Sequence, residues 1–349
     1  MNKNLAIAIN CFRQGGGMES YTFDLVRGFT ADHQTVRIYA AQIDPTLPEY
    51  QHVSVQRINQ KNIPKKLRPF FFTHQLQKQR SANEYLIACN PSDHADIFVC
   101  GGTHLGYLNN MGQTANLLDK LTIRRNRTNY QTAKKIMAHS ALMKREMTEL
   151  YGIDEHKIEV VYPPVNTQRF HNDFSDVAQT RQQYGFQEHE TIFLFPSTGH
   201  KRKGLDLLAA FFEHTDLPVK LAVAGSPLPR PMKNVVELGF CSKMPQLYRA
   251  ADYTIMASLY EPFGLVGVES ILSGTRVVLS NNMACTEVMN EQAGFFFSRD
   301  NPASLADAIT QAVALKQNGQ HKIHTPQAAL TYNPSLTHHI QHIYTMLEK

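Results

Sequence analysis

With 349 residues, 42% of them hydrophobic, the chain has apolar material for two domains of ordinary size, and the lack of any run of about 18 apolar residues argues against a helical membrane span. The formal charge of +5 is uneven: residues 1–165 hold 20 Lys/Arg against 14 Asp/Glu, whereas residues 166–349 hold 15 against 16. Five scattered cysteines (Cys11, Cys89, Cys100, Cys241, Cys285) without a C-x-x-C pair argue against a disulfide framework or a cysteine metal site, and for reduced thiols in the cytoplasm.

The apolar part of the first ten residues is too short for a signal peptide, and Leu5–Ile9 reads as a strand. Gly15, Gly16 and Gly17 then open a helix over Met18–Phe29, a loop whose backbone can lie against a phosphate or a sugar. It is not G-x-G-x-x-G, and no acidic residue ends the next strand, so a dinucleotide fingerprint is not predicted. Strands follow at Val36–Ala40 and Val53–Ile58. From Arg57 to Arg80 come seven basic residues and no acid, with Phe70–Phe72 in the middle. That composition fits a solvated helix with one buried Phe face or contact with an anionic membrane surface; nucleic acid is disfavoured because no nucleic-acid module accompanies it.

Ile97–Cys100 reads as a buried strand. His104 follows it in a glycine-flanked loop, where it is either structural or placed to touch a sugar. Arg124, Arg125 and Arg127 read as a basic helix face, Ile136–His139 as a strand, Ser140–Tyr151 as a helix and Ile158–Tyr162 as a strand. Pro163-Pro164 then bars helix continuation, and a polar stretch runs to about Glu190. The boundary falls at 165, giving a first Rossmann-like domain over 1–165 and a second over 166–330. A final helix near Ser335–Leu347 (within 331–349) is expected to pack back on the first.

The second series alternates again: Ile192–Phe195, Leu205–Phe212, Val219–Ala224, Met244–Ala250, Tyr253–Ala257. After its first strand, Lys201, Arg202 and Lys203 stand before a helix, where they can neutralise a diphosphate. After Tyr253–Ala257 comes the most informative segment, with Glu261 in a strand-to-helix loop and Glu269 eight residues on. Pro262 suits the first helical position, and Gly264 permits close backbone approach at a helix start that favours an anion. Phosphate at the centre and hydroxyls at both ends describe a nucleotide sugar. No H-x-x-x-H, D-x-D or carboxylate cluster predicts a metal.

Taken together, the stretch from Ala250-Ala251-Asp252 through Glu261 and Glu269 to Gly274–Val278 resembles the family-4 retaining glycosyltransferases of the GT-B fold, with their E-x7-E motif. Gly15–Glu19, His104, Val160–Asn166, Lys203-Gly204, Leu221–Gly225 and Thr286-Glu287 extend the likeness over nearly the whole chain. The linker and the basic first domain resemble those of lipopolysaccharide-core glycosyltransferases.

The resemblance implies an α/β fold of two Rossmann-like domains facing across a cleft, the first binding acceptor and the second the nucleotide-sugar. It implies that Glu269 holds the ribose, Glu261 the donor sugar, and the amides of Phe263, Gly264 and Leu265 its hydroxyls and phosphates. Arg202 and Lys203 would neutralise the diphosphate, with His200 standing where the family commonly has Arg. Gly16 and Gly17 would line the diphosphate side, His104 would approach the sugar, and the base would sit near Phe240–Lys243. The expected activity is metal-independent, cofactor-free transfer of a hexose or N-acetylhexosamine, with UDP-sugar as donor and a lipid-linked saccharide as acceptor. The expected location is the cytoplasm or the inner membrane face. A sugar-nucleotide epimerase of the same fold and a non-catalytic nucleotide-sugar binding protein are the alternatives.

Overall fold

The computed structural model describes residues 3–348, which divide into two compact units. The first runs to Pro164 and takes up the chain again from Pro334; the second is Val165–Asn333.

In chain order the first unit comprises β1 (Asn4–Ala8), β2 (Cys11–Phe12), α1 (Gly17–Ala31), β3 (Val36–Ala40), β4 (Gln42–Ile43), β5 (Val53–Arg57), α2 (Arg68–Gln79), β6 (Glu84–Ala88), β7 (Ile97–Cys100), α3 (His104–Asn110), α4 (Leu117–Thr132), β8 (Lys135–Ala138), α5 (Ala141–Tyr151) and β9 (Ile158–Val160). Its seven-stranded sheet is ordered β5-β3-β1-β6-β7-β8-β9 with parallel pairings, and β2 pairs with β4 beside it. Strands covered on both faces need apolar residues at every position, which is why Leu5, Ala6, Ile7 and Ala8 are all buried. Strand order reverses between β1 and β6, so the glycine loop after β1 lies at the switch point where ligands of open α/β sheets bind.

The second unit comprises α6 (Val177–Tyr184), β10 (Thr191–Ser197), α7 (His200–Lys203), α8 (Leu205–His214), β11 (Val219–Gly225), β12 (Val235–Gly239), α9 (Met244–Ala250), β13 (Tyr253–Met256), α10 (Leu265–Leu272), β14 (Arg276–Ser280), β15 (Gly294–Phe297) and α11 (Pro302–Gln317). Its parallel sheet is ordered β12-β11-β10-β13-β14-β15. Here the reversal falls between β10 and β13. The loops that leave these two strands carry Arg202 and Glu261 respectively.

The chain then returns to the first unit as α12 (Leu336–Glu348), whose Ile340, Ile343 and Met346 join the core with Leu25, Val26 and Phe29 of α1. The approach is closest at Gly28, where an added Cβ would stand 2.4 Å from Ile340 Cγ1. A buried polar cluster fixes the same contact. Tyr21 Oη lies 2.8 Å from His339 Nε2, and His339 Nδ1 lies 3.1 Å from the Tyr162 carbonyl.

Three features depart from expectation. Glu84–Ala88 is a central strand, unread because its single short apolar run offers no period. The polar stretch before Glu190 contains α6, whose helical face is mostly solvated, with Thr180 as its buried residue. Pro262 is not in a helix: α10 begins at Leu265, after Gly264 takes the left-handed conformation, so Pro262 sits in the loop and Glu269 lies in the second turn.

Candidate functional site

The second unit's site is built where β10 and β13 end. After Ser197 the chain makes one short helical turn, α7, and reverses at Gly204 with φ of +80°. A Cβ there would meet the Ala257 carbonyl oxygen at 2.0 Å, so only glycine lets this turn press on the segment leaving β13. The Leu259 amide donates to the Arg202 carbonyl at 2.8 Å and locks the two loops in register. Arg202 Nη1 in turn donates to Glu261 Oε2 at 2.8 Å and to the Tyr260 carbonyl at 2.9 Å. Their side chains are 32% and 18% exposed, enclosed enough to be held yet open to a ligand.

Lys203 Nζ donates to the Pro196 carbonyl at 2.8 Å. Burial pushes its pKa down; the carboxylates of Glu261 and Glu269 counter that in part, and Arg202 adds to it. An anion entering beside Lys203 therefore meets a cation incompletely compensated by its own protein.

His200 is otherwise employed. Its Nδ1 lies 2.8 Å from Ser197 Oγ, and its Nε2 faces the carbonyls of Ser226 and Pro227 at 3.1 and 3.0 Å. Two carbonyls at Nε2 require the proton there, so in the neutral ring Nδ1 accepts from the serine. Nδ1 thus ties α7 back to the end of β10, and Nε2 ties it to the segment after β11.

The loop from Glu261 to Gly264 is pinned from behind. The Ala284 amide donates to the Glu261 carbonyl at 3.1 Å and the Cys285 amide to the Phe263 carbonyl at 2.7 Å. Gly264, at φ +98°, then turns the chain into α10. Among the described residues no side chain caps this start, and the first-turn amides precede the intrahelical ladder. That is the anion-ready helix start read from the sequence, beginning three residues later than expected.

Glu269 is placed by residues the sequence reading missed. Tyr248 of α9 donates its hydroxyl to Glu269 Oε2 at 2.9 Å. Burial, then the neighbouring carboxylate, raises the phenol well above its ordinary value, so it stays protonated and keeps donating. Ser270 Oγ bonds Thr254 Oγ1 at 2.8 Å and the Thr275 carbonyl at 2.9 Å, and Thr275 Oγ1 donates to the Tyr248 carbonyl at 2.7 Å. This buried net sets α10 against β13, β14 and α9. Alternation of serine and threonine with apolar residues was the available signal, and it does not reveal partners.

Gly16, Gly17 and His104 lie in the first unit. Gly16 has φ of −83° and caps α1, and around Gly17 a Cβ would meet nothing within 4 Å. Neither left-handed backbone nor internal packing calls for glycine at Gly17; the position leaves its backbone open. His104 is the first residue of α3, capped by Thr103, rather than a loop residue. Its Nε2 lies 2.8 Å from Asp119 Oδ1, and the Asp119 Oδ2 accepts from the Asn116 amide at 3.0 Å. That amide, then the His104 ring, holds the Asp119 carboxyl below its usual range. Below α3, Thr103 Oγ1 donates to buried Glu146.

Two Rossmann-like units, each with its chemistry-bearing loops at the switch point of a parallel sheet, define the GT-B class of glycosyltransferases. Solved structures carry the same fold over the whole chain. HepE of Anabaena in complex with UDP-glucose superposes with a TM-score of 0.79 at 16% identity, covering 99% of each chain. WaaG, a glycosyltransferase involved in lipopolysaccharide biosynthesis, gives 0.78 at 14%, covering 99% of this chain and 97% of that one. At the sequence level, the description Glycosyltransferase Family 4 matches residues 15–169, and Glycosyl transferases group 1 matches residues 176–324. A probable transglycosylase of Burkholderia thailandensis is 37% identical over 342 residues, 96% of this chain and 94% of that one. D-inositol 3-phosphate glycosyltransferase of Nocardia farcinica is 30% identical over 201 residues, 51% of this chain and 44% of that one. The chain belongs to the family-4 glycosyltransferases.

Proposed function

We propose that the protein is a retaining glycosyltransferase that moves a hexose or N-acetylhexosamine from a UDP-sugar to a lipid-linked saccharide of the lipopolysaccharide-core type. The second unit takes the donor and the first the acceptor. The observation that carries this reading is the Arg202–Glu261 pair at the switch point, beside the uncapped start of α10 and the Tyr248–Glu269 bond. Glu269 holds the ribose hydroxyls and Glu261 the hydroxyls of the donor sugar. The amides of Phe263, Gly264 and Leu265 receive sugar hydroxyls and phosphate oxygens.

As the bond to the anomeric carbon breaks, negative charge grows on the leaving diphosphate, and Arg202 and Lys203 meet it without a metal ion. Arg202 rather than His200 fills the cationic role, since both His200 nitrogens are already engaged. The departing phosphate oxygen takes the acceptor's proton on the same face, and His104, oriented by Asp119, contacts the sugar. The protein's share is orientation and charge stabilisation. The setting is the cytoplasm at the inner membrane face; among the described residues no helix is long and apolar enough to cross a membrane.

A thermal-shift panel of UDP-, GDP- and ADP-sugars with and without EDTA tests this, because a ligand that binds the native state raises apparent stability. A shift confined to UDP-sugars and insensitive to EDTA is expected; no shift with any nucleotide rejects the reading. The name of the Burkholderia relative favours a second reading, glycan-to-glycan transfer. Under that reading a saccharide alone is elongated with no nucleotide present.

A further inference from the structure

The helix that carries Tyr248 is short, and its carbonyl end is closed by side chains from elsewhere in the second unit. α9 spans the seven residues Met244–Ala250. A helix end leaves its last carbonyls without intrahelical donors. Here the Tyr248 carbonyl accepts from Thr275 Oγ1 at 2.7 Å, the Arg249 carbonyl from Lys322 Nζ at 2.8 Å and the Ala250 carbonyl from Arg181 Nη1 at 2.8 Å. Lys322 Nζ also donates to the Ala251 carbonyl and, at 3.2 Å, to Thr275 Oγ1. One ammonium therefore holds two carbonyls of the helix end and the hydroxyl that holds a third. A cation at this end also complements the helix dipole.

Lys322 is itself fixed in place. Thr275 and Lys322 form an antiparallel bridge, and the Ile323 amide donates to the Gly274 carbonyl at 2.9 Å. Nζ stands over the Phe174 ring, 5.7 Å from its centroid. Three acceptors around one Nζ use all three protons of an ammonium. Burial pushes the lysine pKa down to about 7; Asp252 opposes that, and Arg181 and Lys316 add to it. Asp252 is near, but its own bonds go to Arg181, Lys316, His321 and the Ile192 amide. The lysine is thus kept in an unfavourable setting where its hydrogen bonds go to the end of α9.

That end lies one residue beyond Tyr248, whose hydroxyl donates to Glu269 Oε2 at 2.9 Å. A hydrogen bond of this length weakens steeply when its donor shifts or tilts. We propose that Lys322 is a positioning residue for the nucleotide side of the donor site: by clamping the end of α9, directly and through Thr275, it sets the position of Tyr248 and so the orientation in which Glu269 meets the ribose. The proposal rests on the reading that Glu269 holds the ribose hydroxyls. Its action is indirect, running from Lys322 to Thr275 and the α9 carbonyls, from these to Tyr248, and from Tyr248 to Glu269.

The test is a double-mutant cycle on UDP affinity, read by calorimetric titration of the full chain just below neutral pH, where the ammonium keeps its three protons. Tyr248→Phe should weaken UDP by about threefold or more, because it releases Glu269 from a hydrogen bond. Lys322→Met should weaken UDP by about threefold, and the double variant should bind no worse than Tyr248→Phe alone, since residues acting through one contact are not additive. Should Lys322→Met fail to fold, Thr275→Val takes its place in the cycle; it keeps the lysine and cuts the link to the Tyr248 carbonyl. Asp252→Asn, which removes a neighbouring charge but no bond to α9, is the control and should leave UDP affinity unchanged. Wild-type UDP affinity in the lysine or threonine variant overturns the proposal, as do losses that add to that of Tyr248→Phe. An equal loss in Asp252→Asn also overturns it, by making the effect a general loosening of the region. If Tyr248→Phe weakens UDP and Lys322→Met does not, the clamp alone is rejected. A wild type that binds no UDP rejects the donor reading, and the proposal with it.

Discussion

Arg202 and Glu261 are joined by a 2.8 Å charge-assisted hydrogen bond across the point where the second sheet's strand order reverses. Each stands on a different strand's exit loop, and the bond forms because Gly204 lets the two loops touch. The pair holds the guanidinium against the Glu261 carboxylate and the Tyr260 carbonyl, the position from which the proposed reading has it meet the donor's diphosphate.

Removing the guanidinium should act on the chemical step more than on donor binding. Arg202→Ala is expected to lower kcat by about 10²–10³-fold, the usual cost of one preorganised charge-stabilising group. Arg202→Lys should recover only part of this: Nη1 alone bonds both Glu261 and the Tyr260 carbonyl, which leaves the guanidinium further N–H groups for a phosphate, whereas a compact ammonium keeps the charge without that planar array of donors. Steady-state kinetics with saturating donor distinguish the two; equal activity of Arg202→Lys and wild type would contradict the assignment.

Gly204→Ala should be far worse than a glycine substitution of similar backbone conformation elsewhere. Gly239 has φ of +67° with nothing within 4 Å of where a Cβ would stand, so Gly239→Ala should cost roughly 1–2 kcal/mol for the left-handed conformation alone. Gly204→Ala carries that cost and also drives a methyl into the Ala257 carbonyl. Urea denaturation of the two variants, with activity measured alongside, checks the difference.

Acid should loosen the first unit. Burial, then the neighbouring His339, pushes the His139 pKa down to about 3; burial pushes His339 down to about 4, with the Tyr162 carbonyl opposing it. In the unfolded chain both titrate near 6.5 (an approximate reference value). Unfolding therefore takes up protons below that pH, and stability present at neutral pH is lost as pH falls toward the folded values. Each histidine should account for about 2 kcal/mol by about pH 5. Urea midpoints measured down that range should fall, and His339→Gln should flatten the slope; a flat wild-type profile would refute the assignment.

At the amino ends of the second sheet's strands, Asp252 is buried among Lys316 at 2.9 Å, His321 at 3.3 Å and Arg181 at 3.4 Å. Burial raises its carboxyl pKa, but the His321 hydrogen bond, the Arg181 and Lys316 charges and the Ile192 amide outweigh that and hold it far below the usual range. Asp252→Asn strands those cations and should cost roughly 3 kcal/mol at neutral pH. Because the cluster lies at the opposite edge from Glu261, KM for donor should stay unchanged in the folded variant. A raised KM with unchanged stability would reverse the assignment.

Much of this was legible because buried parallel strands announce themselves. Leu5–Ile9 and Ile192–Phe195 are apolar at every position, and the residues after them had to lie at a sheet edge. Glu261 and Glu269 were legible through their spacing around Gly264. Pro262 misled because its fixed φ suits a helix start, yet Gly264 imposes a left-handed step that delays α10 to Leu265. Tyr248 and Asp119 were invisible for another reason. Each acts through a carboxylate or a ring brought to it by the fold, 21 and 15 residues away in sequence, and no local pattern encodes that pairing.

The division of labour between the two glutamates is tested most directly by calorimetric titration of UDP and of UDP-sugars into wild type, Glu269→Gln and Glu261→Gln. Glu269→Gln should weaken UDP itself by about tenfold or more, the loss expected for a hydrogen bond to a charged group. Glu261→Gln should leave UDP affinity intact and remove the increment that the sugar adds. Equal loss of UDP and UDP-sugar binding in both variants, or wild-type affinity in both, would contradict the account.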